Sequence, residues 1–294
     1  MAEFKWNEAK LDSSWEMEYC YFERKGPVAR YTLNRPDKRN AYSGDMWTGM
    51  RRVSEELMGD MSCRVLVVTG AGDKAFCAGP SSFSKTPGQV RPDGTQLDAP
   101  WRDRQQEANA FMRRRGRLNG YLRHKPLWDL HCPVVCRMNG LAVGAGADWV
   151  MACDIIVAAE HSFLGWWYTK RGLATDMGGC WYLTQLVGAN RAKEIIFTAR
   201  SVYAPELKEL GVVSRVAPYD KLDDAVDELC NEIIACAPMA VSADKELIDH
   251  AVNMERWPWF EYSTHLIVGC IDSDDFSDQR LVGLRGGTPE WKGR

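Results

Sequence analysis

Short apolar runs that alternate with helical stretches constrain this chain more than any other feature of its sequence. The run at residues 65–69, Val-Leu-Val-Val-Thr, is typical of a strand buried on both faces of a sheet. Further strand candidates lie at residues 28–33, 134–138 and 155–158. Helical spacing of apolar residues marks residues 43–59, 145–151 and 189–198. Such alternation predicts an α/β chain with right-handed crossovers.

Composition and charge argue against several classes of protein. The net charge of −3 over 294 residues gives no reason to expect a nucleic acid or an anionic membrane as partner. No apolar run is long enough to span a bilayer, and the first ten residues lack a signal-peptide pattern. The ten cysteines form no C-x-x-C pair, which argues against zinc ribbons and thioredoxin-type sites. We therefore expect a cytoplasmic protein with reduced thiols and no metal.

The chain divides into three predicted parts. Residues 1–18 form a polar N-terminal leader, residues 19–215 the α/β core, and residues 216–294 a C-terminal helical region. Amphipathic patterns predict helices at residues 222–234, 240–252 and 257–271. Residues 80–100 are rich in Ser, Pro and Gly, which predicts a long loop.

Four segments carry a resemblance to a known family. They are residues 33–41 (LNRPDKRNA), 74–79 (KAFCAG), 138–148 (MNGLAVGAGAD) and 172–179 (GLATDMGG). In this order and spacing they resemble the crotonase (enoyl-CoA hydratase/isomerase) superfamily, over a region from about residue 19 to the end. The resemblance implies the crotonase (ClpP/crotonase-like) fold of repeated ββα units with a C-terminal helical region. It also implies a small-molecule acyl-CoA substrate, a homotrimer or hexamer (dimer of trimers), and no permanently bound cofactor, coenzyme A being part of the substrate.

The resemblance assigns the first segment to the nucleotide end of coenzyme A. Lys38 and Arg39 would meet its phosphates, and Asn40 and Ala41 would shape the loop around it. Both basic residues can equally be surface charge. The basic stretch at residues 101–125 is predicted to be helical, either as a solvated face or as a surface for CoA phosphates or a neighbouring subunit.

An oxyanion hole is the next feature that the resemblance implies. The N–H of Ala145, after the turn at Gly144, would hold the thioester oxygen, and preorganised donors stabilise an enolate there. The second donor would follow Ala78–Gly79, where this chain has Pro80, which lacks an N–H. Either that donor is lost, or Ser81 replaces it, or the loop has shifted and Pro80 merely ends it.

The acid and base positions also depart from the usual pair of glutamates. The first falls at Asp148 and the second at Tyr168, whose ordinary pKa of about 10 makes it a poor base. Asp176, eight residues later, matches an aspartate of dienoyl-CoA isomerases. Trp166, Trp167 and Tyr168 are expected to form the pocket wall, which favours a flat, cyclic or aromatic acyl group.

Three hypotheses follow from these residues. The first is a hydratase or isomerase that acts on an unsaturated, cyclic or aromatic acyl-CoA, with Asp148 and Asp176 moving protons and Ala145 holding the enolate. The second is a cyclic or aryl acyl-CoA hydrolase or dehalogenase, with Asp176 as nucleophile and His124 as base. The third is a catalytically altered scaffold. Plainer interpretations remain: Asp148 as a helix-start carboxylate, Asp176 as a helix N-cap, and His124 as an exposed side chain between two basic residues.

Overall fold

The computed structural model describes residues 3–80 and 119–294, and every structural statement below concerns these residues. Their strands are β1 (Ser13–Met17), β2 (Cys20–Lys25), β3 (Val28–Leu33), β4 (Val65–Gly70), β5 (Ala75–Cys77), β6 (Val134–Met138), β7 (Leu141–Val143), β8 (Ile155–Ala159), β9 (Phe163–Gly165), β10 (Ser201–Tyr203) and β11 (Arg215–Ala217). Their α-helices are α1 (Gly44–Leu57), α2 (Asn119–Trp128), α3 (Ala145–Met151), α4 (Gly179–Thr198), α5 (Ala204–Glu209), α6 (Leu222–Ile234), α7 (Pro238–Ala251), α8 (Arg256–Ile271) and α9 (Arg280–Leu284).

The larger sheet contains the predicted strands. Its order is β1-β2-β3-β4-β6-β8-β11, with antiparallel pairing among the first three strands and parallel pairing from β3 onward. Parallel neighbours require crossover connections, which here run through helices such as α1 and α3. The predicted α/β class is therefore confirmed.

Strand β4 shows why the apolar run at residues 65–69 has no polar gap. Val65 and Val67 pack into one buried cluster, which includes residues of α6. Leu66 and Val68 point the other way, into the main core between the sheets and the remaining helices. Because successive side chains of a strand alternate between faces, a strand covered on both sides needs apolar residues throughout.

The predicted N-terminal leader and C-terminal region are both packed against the core. Part of the leader forms strand β1. The Trp6 side chain is buried, and the backbone N–H of Trp6 donates to Asp227 Oδ2 of α6 (2.8 Å). Strand β11 spans the predicted boundary at residue 215 and pairs with β8. Lys245 of α7 forms an ion pair with Asp154 (2.8 Å), whose carboxylate also accepts the backbone N–H of Val134 (2.7 Å).

The smaller sheet positions the functional segments. Its order is β10-β9-β7-β5, and β5 and β7 run parallel with Cys77 opposite Ala142. The second and third family-like segments therefore end side by side.

The predicted loop at residues 80–100 and most of the basic stretch lie outside the described residues, apart from Pro80 and the start of α2. None of the described helices has the length and apolar character needed to cross a membrane.

Candidate active site

Two buried asparagines fix the turns on either side of the site. Asn40 Nδ2 donates to the carbonyl oxygens of Ala71 (3.0 Å) and Ala75 (2.7 Å), and its Oδ1 accepts the N–H of Arg35. Asn139 Nδ2 donates to the same Ala75 carbonyl (2.9 Å). Asn40 is therefore a structural anchor of the first family-like loop.

The other residues of that loop differ in exposure. Ala41 is buried, whereas Lys38 and Arg39 are exposed and form no ion pair with another described residue. The Arg39 carbonyl accepts the N–H of Ala78 (3.0 Å), which ties the loop to the end of β5. The loop thus presents two cations at the surface while its backbone supports the site.

Close backbone approach explains the glycines between β5, β7 and α3. A Cβ at Gly146 would lie 2.2 Å from the Cys77 carbonyl oxygen, and one at Gly79 would lie 2.9 Å from that of Val143. Gly79 and Gly144 also adopt left-handed backbone conformations, with φ of 84° and 58°. Only residues without side chains bring these two turns into contact.

The predicted oxyanion donors lie at this contact. The Gly144 carbonyl accepts the N–H groups of Ala147 (2.9 Å) and Asp148 (3.1 Å), whereas the Ala145 N–H stands first in α3. Pro80 follows Gly79 here, and its backbone forms a parallel bridge with Tyr42. Pro80 supplies no N–H at this position. Ser81, the proposed replacement donor, lies outside the described residues.

Asp148 is the central polar group of the site. Its side chain is fully buried, and it accepts hydrogen bonds from the Tyr168 hydroxyl (2.6 Å to Oδ2) and the Trp166 indole N–H (2.9 Å to Oδ1). Burial raises the pKa of Asp148 to about 7, the charge of Asp176 adds to this rise, and the Tyr168, Trp166 and Gly179 donors oppose it. Both donors belong to the segment that follows β9 and not to α3. Asp148 therefore does more than interact with the dipole at the start of its own helix.

Tyr168 acts in this arrangement as a donor. Burial raises its pKa well above the ordinary value, and the neighbouring Asp148 charge raises it further. The Tyr168 ring also lies close to Gly144, with 3.8 Å between its Cζ and the position of a Cβ there. The hydroxyl therefore stays protonated, and the Tyr168 ring lies between the Gly144 turn and Asp148.

Asp176 lies at the edge of a cleft next to this group. It is exposed, and its charge acts on both Asp148 and Tyr168. Helix α4 begins at Gly179 with Gly178 as N-cap and no side-chain capping bond, so the N-cap interpretation of Asp176 is wrong. The structure therefore brings Asp148, Tyr168 and Asp176 into one electrostatic unit.

His124 was expected to be exposed, and that prediction is wrong. Its side chain is 1% exposed, because α2 packs it among the rings of Trp47, Trp128 and Tyr182. Desolvation and the Arg123 charge lower its pKa to about 3. His124 lines the same cleft as Asp176.

Trp167 is placed away from Asp148. Its ring stacks on Phe163 of β9, with centroids 6.0 Å apart and an interplanar angle of 26°. The described contacts therefore do not bring Trp167 into the Asp148 group, where it was expected to form the wall. Its neighbour Trp166, fully buried, takes the place against Asp148 instead.

Two functional residues escaped prediction. Trp166 was grouped with the wall, although its spacing of two from Tyr168 is compatible with both side chains reaching Asp148. Gly179 is the other: a Cβ there would lie 2.0 Å from Asp148 Oδ1 and 2.3 Å from Trp166 Nε1. In the sequence, Gly179 is marked by following another glycine, Gly178. Its role becomes clear from the contacts with Asp148 and Trp166 in the folded chain.

In the described part of the chain, no group of three metal-ligating side chains occurs.

Comparison with known proteins decides the family. The enoyl-CoA hydratase/isomerase family model matches residues 23–96 and 102–294. The chain belongs to the enoyl-CoA hydratase/isomerase family. It is therefore an enzyme of the CoA-thioester hydratase/isomerase group with the crotonase fold, as the four sequence segments indicated.

Individual relatives have several names. A short-chain-enoyl-CoA hydratase of Clostridium acetobutylicum is 28% identical over 90% of this chain and 93% of its own. A carnitinyl-CoA dehydratase of Salmonella arizonae is 29% identical over 92% of this chain and 97% of its own. The crystal structure of an enoyl-CoA hydratase from Bacillus anthracis superposes with a TM-score of 0.80 at 26% identity, covering 94% of this chain and all of that one.

Proposed function

We propose that this family member moves a proton on an unsaturated CoA thioester with a cyclic or aromatic acyl group, through an enolate. The observation that carries the proposal is the buried Asp148 carboxyl, held by Tyr168 and Trp166 and influenced by Asp176. A carboxyl whose pKa is about 7 can both gain and lose a proton at neutral pH, as an acid–base catalyst must.

The proposed step needs one base, one acid and one oxyanion donor. The Asp176 carboxylate removes a proton from a carbon of the acyl group, and the electron pair moves onto the thioester oxygen, to which the Ala145 N–H donates. Protonated Asp148 then delivers its proton to another carbon of the conjugated system. The double bond is then shifted, and the composition of the substrate is unchanged. Proton exchange with water returns Asp176 to its carboxylate form and Asp148 to its protonated form.

Tyr168 favours isomerisation over hydration by a glutamate pair. A hydratase of that type needs a second base for the attacking water. Burial and the Asp148 charge both raise the pKa of Tyr168, so its hydroxyl is a donor and a poor base. The aromatic residues Trp128, Trp181 and Tyr182 line the cleft at Asp176, which supports a flat acyl group.

Two measurements test the proposal. Binding of cinnamoyl-CoA should shift its ultraviolet band to longer wavelength, because a polarised thioester carbonyl extends the conjugation. In deuterated water, the enzyme should introduce deuterium into a β,γ- or α,β-unsaturated cyclic acyl-CoA, and Asp176→Asn should abolish this exchange. Tight binding without a band shift and without exchange would rule out the enolate.

A nucleophilic mechanism is the second candidate, because Asp176 and His124 line one cleft. Asp176 would either attack the acyl carbonyl, expel the CoA thiolate and form a mixed anhydride, or displace a halide from the ring and form an aryl ester. Water activated by His124 would then cleave this adduct and regenerate the Asp176 carboxylate. The lowered pKa of His124, about 3, makes it a weak base and favours the first proposal. A single turnover in H₂¹⁸O separates the two, since only the nucleophilic route transfers label into the Asp176 carboxyl.

We also propose self-association into a trimer or a dimer of trimers through α8. This helix exposes large apolar side chains: Trp257, Phe260, Ile267, Val268 and Ile271. Exposed apolar surface of this kind is characteristic of interaction sites. Light scattering should give three or six times the mass of 33.3 kDa, and the double variant Trp257→Glu/Phe260→Glu should lower it.

Lys38 and Arg39 remain proposed partners of the CoA phosphates. Their exposed charges support this role, since phosphate binding requires accessible cations. Replacing both by alanine should weaken binding of a CoA ester more than binding of the matching pantetheine ester. Equal weakening of both esters would contradict the assignment.

A further inference from the structure

The guanidinium of Arg123 lies beside the candidate active site. Its Nη1 is 3.4 Å from the Tyr42 hydroxyl and 3.7 Å from Met177 Sδ. Met177 follows Asp176 and lines the same cleft. The backbone N–H of Tyr42 donates to the Gly79 carbonyl (2.9 Å), at the turn where the second oxyanion donor was expected. One side chain therefore separates Arg123 from the cleft, and another separates it from the oxyanion turn.

The Tyr42 hydroxyl lies within reach of charges of both signs. Burial raises the pKa of Tyr42, the Arg123 charge opposes this rise, and the Asp176 charge adds to it. The Asp176 charge also contributes to the raised pKa of Asp148. The cation and the two carboxyls that are proposed to move protons thus act within one region of the molecule.

Aromatic rings hold the guanidinium by its face. Its central carbon lies 5.4 Å from the centroid of the Tyr42 ring and 5.1 Å from that of Trp47. Trp47 in turn stacks on Trp149 of α3, the helix that carries Asp148, with centroids 4.0 Å apart. A cation is attracted to the face of an aromatic ring, and this contact leaves the N–H groups at the edge of a guanidinium available.

Two donor atoms of Arg123 are both unpaired and open to solvent. Within the described part of the chain, Nε and Nη2 make no hydrogen bond, and neither atom is closed to solvent. Arg123 also forms no ion pair there. The buried arginines of the same part of the chain differ, because each has a carboxylate or carbonyl oxygen as partner: Arg24, Arg30, Arg64 and Arg137.

The shape of the free edge determines which anion it fits. Nε and Nη2 are neighbouring nitrogens of a planar group and donate in parallel, which matches the two oxygens of a carboxylate. The CoA phosphates are proposed to lie at Lys38 and Arg39. An acyl group whose reacting carbons lie between Asp148 and Asp176 is the part of the substrate nearest to Arg123.

We propose that Arg123 determines specificity for an acyl group that carries a second, free carboxylate, so that the substrate is the CoA thioester of a dicarboxylic acid. Nε and Nη2 of Arg123 bind this carboxylate. The assignment rests on the proposed function only in taking an unsaturated, cyclic or aromatic acyl-CoA as the ligand. It names a feature of the substrate that neither Asp148 nor Asp176 recognises.

Matched carboxylates and carboxamides test this specificity. Cinnamoyl-CoA esters with a carboxylate on the ring at the ortho, meta or para position have nearly the shape of the corresponding carboxamides and differ in charge. Calorimetry gives the dissociation constants for the intact protein. The wild type should bind at least one carboxylate roughly tenfold to a hundredfold more tightly than its carboxamide, the usual worth of hydrogen bonds to a charged group.

Three variants show whether Arg123 is the source of this ratio. In Arg123→Gln the ratio should fall to about one or below, because no cation remains for the carboxylate. Arg123→Lys keeps the charge and loses the planar pair of donors, so its ratio should lie between those of the wild type and Arg123→Gln. Lys125→Gln is the matched control: it removes a cation of the same helix that is paired with Asp129, and the ratio should not change.

Pantetheine esters of the same acids separate the acyl carboxylate from the CoA phosphates as the bound anion. The ratio of the wild type should persist in these esters, which lack the nucleotide. If Arg123→Gln weakens every CoA ester equally and leaves the pantetheine esters unchanged, Arg123 binds a phosphate and the assignment is overturned.

Other results would also overturn the assignment. They are an equal ratio in the wild type and Arg123→Gln, a wild-type ratio of one or below for all three isomers, and absence of binding of every ester. If Arg123→Gln does not fold, the ratios of the wild type and Arg123→Lys decide. A preserved ratio without an ultraviolet shift would refute the enolate proposal alone, whereas a shift with a ratio of one would refute the role of Arg123 alone.

Discussion

Asp148 and His124 are both buried polar side chains, yet they differ in how their atoms are satisfied. Asp148 accepts hydrogen bonds from Tyr168 and Trp166, and the nearby Gly179 N–H helps them to lower its pKa. His124 lies among aromatic rings, and its Nε2 has no partner in the part of the chain that the structure describes. A group with fixed partners is preorganised for chemistry, whereas a buried polar atom without them carries a desolvation cost that no hydrogen bond offsets.

The largest expected effect comes from removing the proton of Asp148. Asp148→Asn keeps the shape of the side chain, and its amide can donate to the Tyr168 oxygen, so the fold should be retained. Turnover or deuterium exchange should fall by about 10² to 10⁴, the usual worth of a general acid–base group. Asp227→Asn is the matched control, because Asp227 is also buried with a raised pKa of about 6 but lies against Trp6, far from the site chemistry.

The same variant has a pH signature in stability. The pKa of Asp148 is about 7 in the folded protein and 3.8 ordinarily, so between these values the folded state holds a proton that the unfolded chain has released. The free energy of unfolding of the wild type should therefore decrease as pH rises from about 4 to 7, relative to Asp148→Asn. Denaturant titrations at pH 4.5 and 7.5 would show it, and a difference of opposite sign would contradict the burial of the neutral acid.

A smaller effect is expected from crowding the enclosure. Gly179→Ala places a Cβ against Asp148 Oδ1 and Trp166 Nε1, so one of these groups must move. Overpacking of this kind costs about 1–3 kcal/mol, and the lost geometry should lower activity as well. Gly44→Ala at the start of α1 is the control, since its Cβ meets nothing within 4 Å; thermal melts should show destabilisation only for Gly179→Ala.

The smallest expected effect comes from taking away one partner of Asp148. Tyr168→Phe removes the hydroxyl donor that opposes the rise in the pKa of Asp148. The pKa should therefore rise further, and the alkaline limb of kcat/KM that reports loss of the Asp148 proton should move to higher pH. Trp166→Phe should move it in the same direction. A limb that moves to lower pH in both variants would mean that these donors do not stabilise the charged form.

The contrast between the two residues also shows what sequence could predict. The strands, the main helices, the family and the position of Asp148 follow from local patterns and motif order. The burial of His124 does not, because basic neighbours in sequence say little about a side chain that α2 turns toward the rings of Trp47 and Tyr182. Sequence alone also does not tell that Trp166, and not Trp167, contacts Asp148, because this depends on which side chain reaches across to α3.

The shared Ala75 carbonyl has a consequence for how this scaffold can diversify. Asn40 and Asn139 come from separate loops and both donate to that one oxygen. If drift removes either amide, the carbonyl keeps one donor and is not left buried and unpaired. At this carbonyl, the loop that carries Asn40 and the turn that carries Asn139 are thus buffered against each other's mutations, so each can change in sequence without leaving the oxygen unpaired.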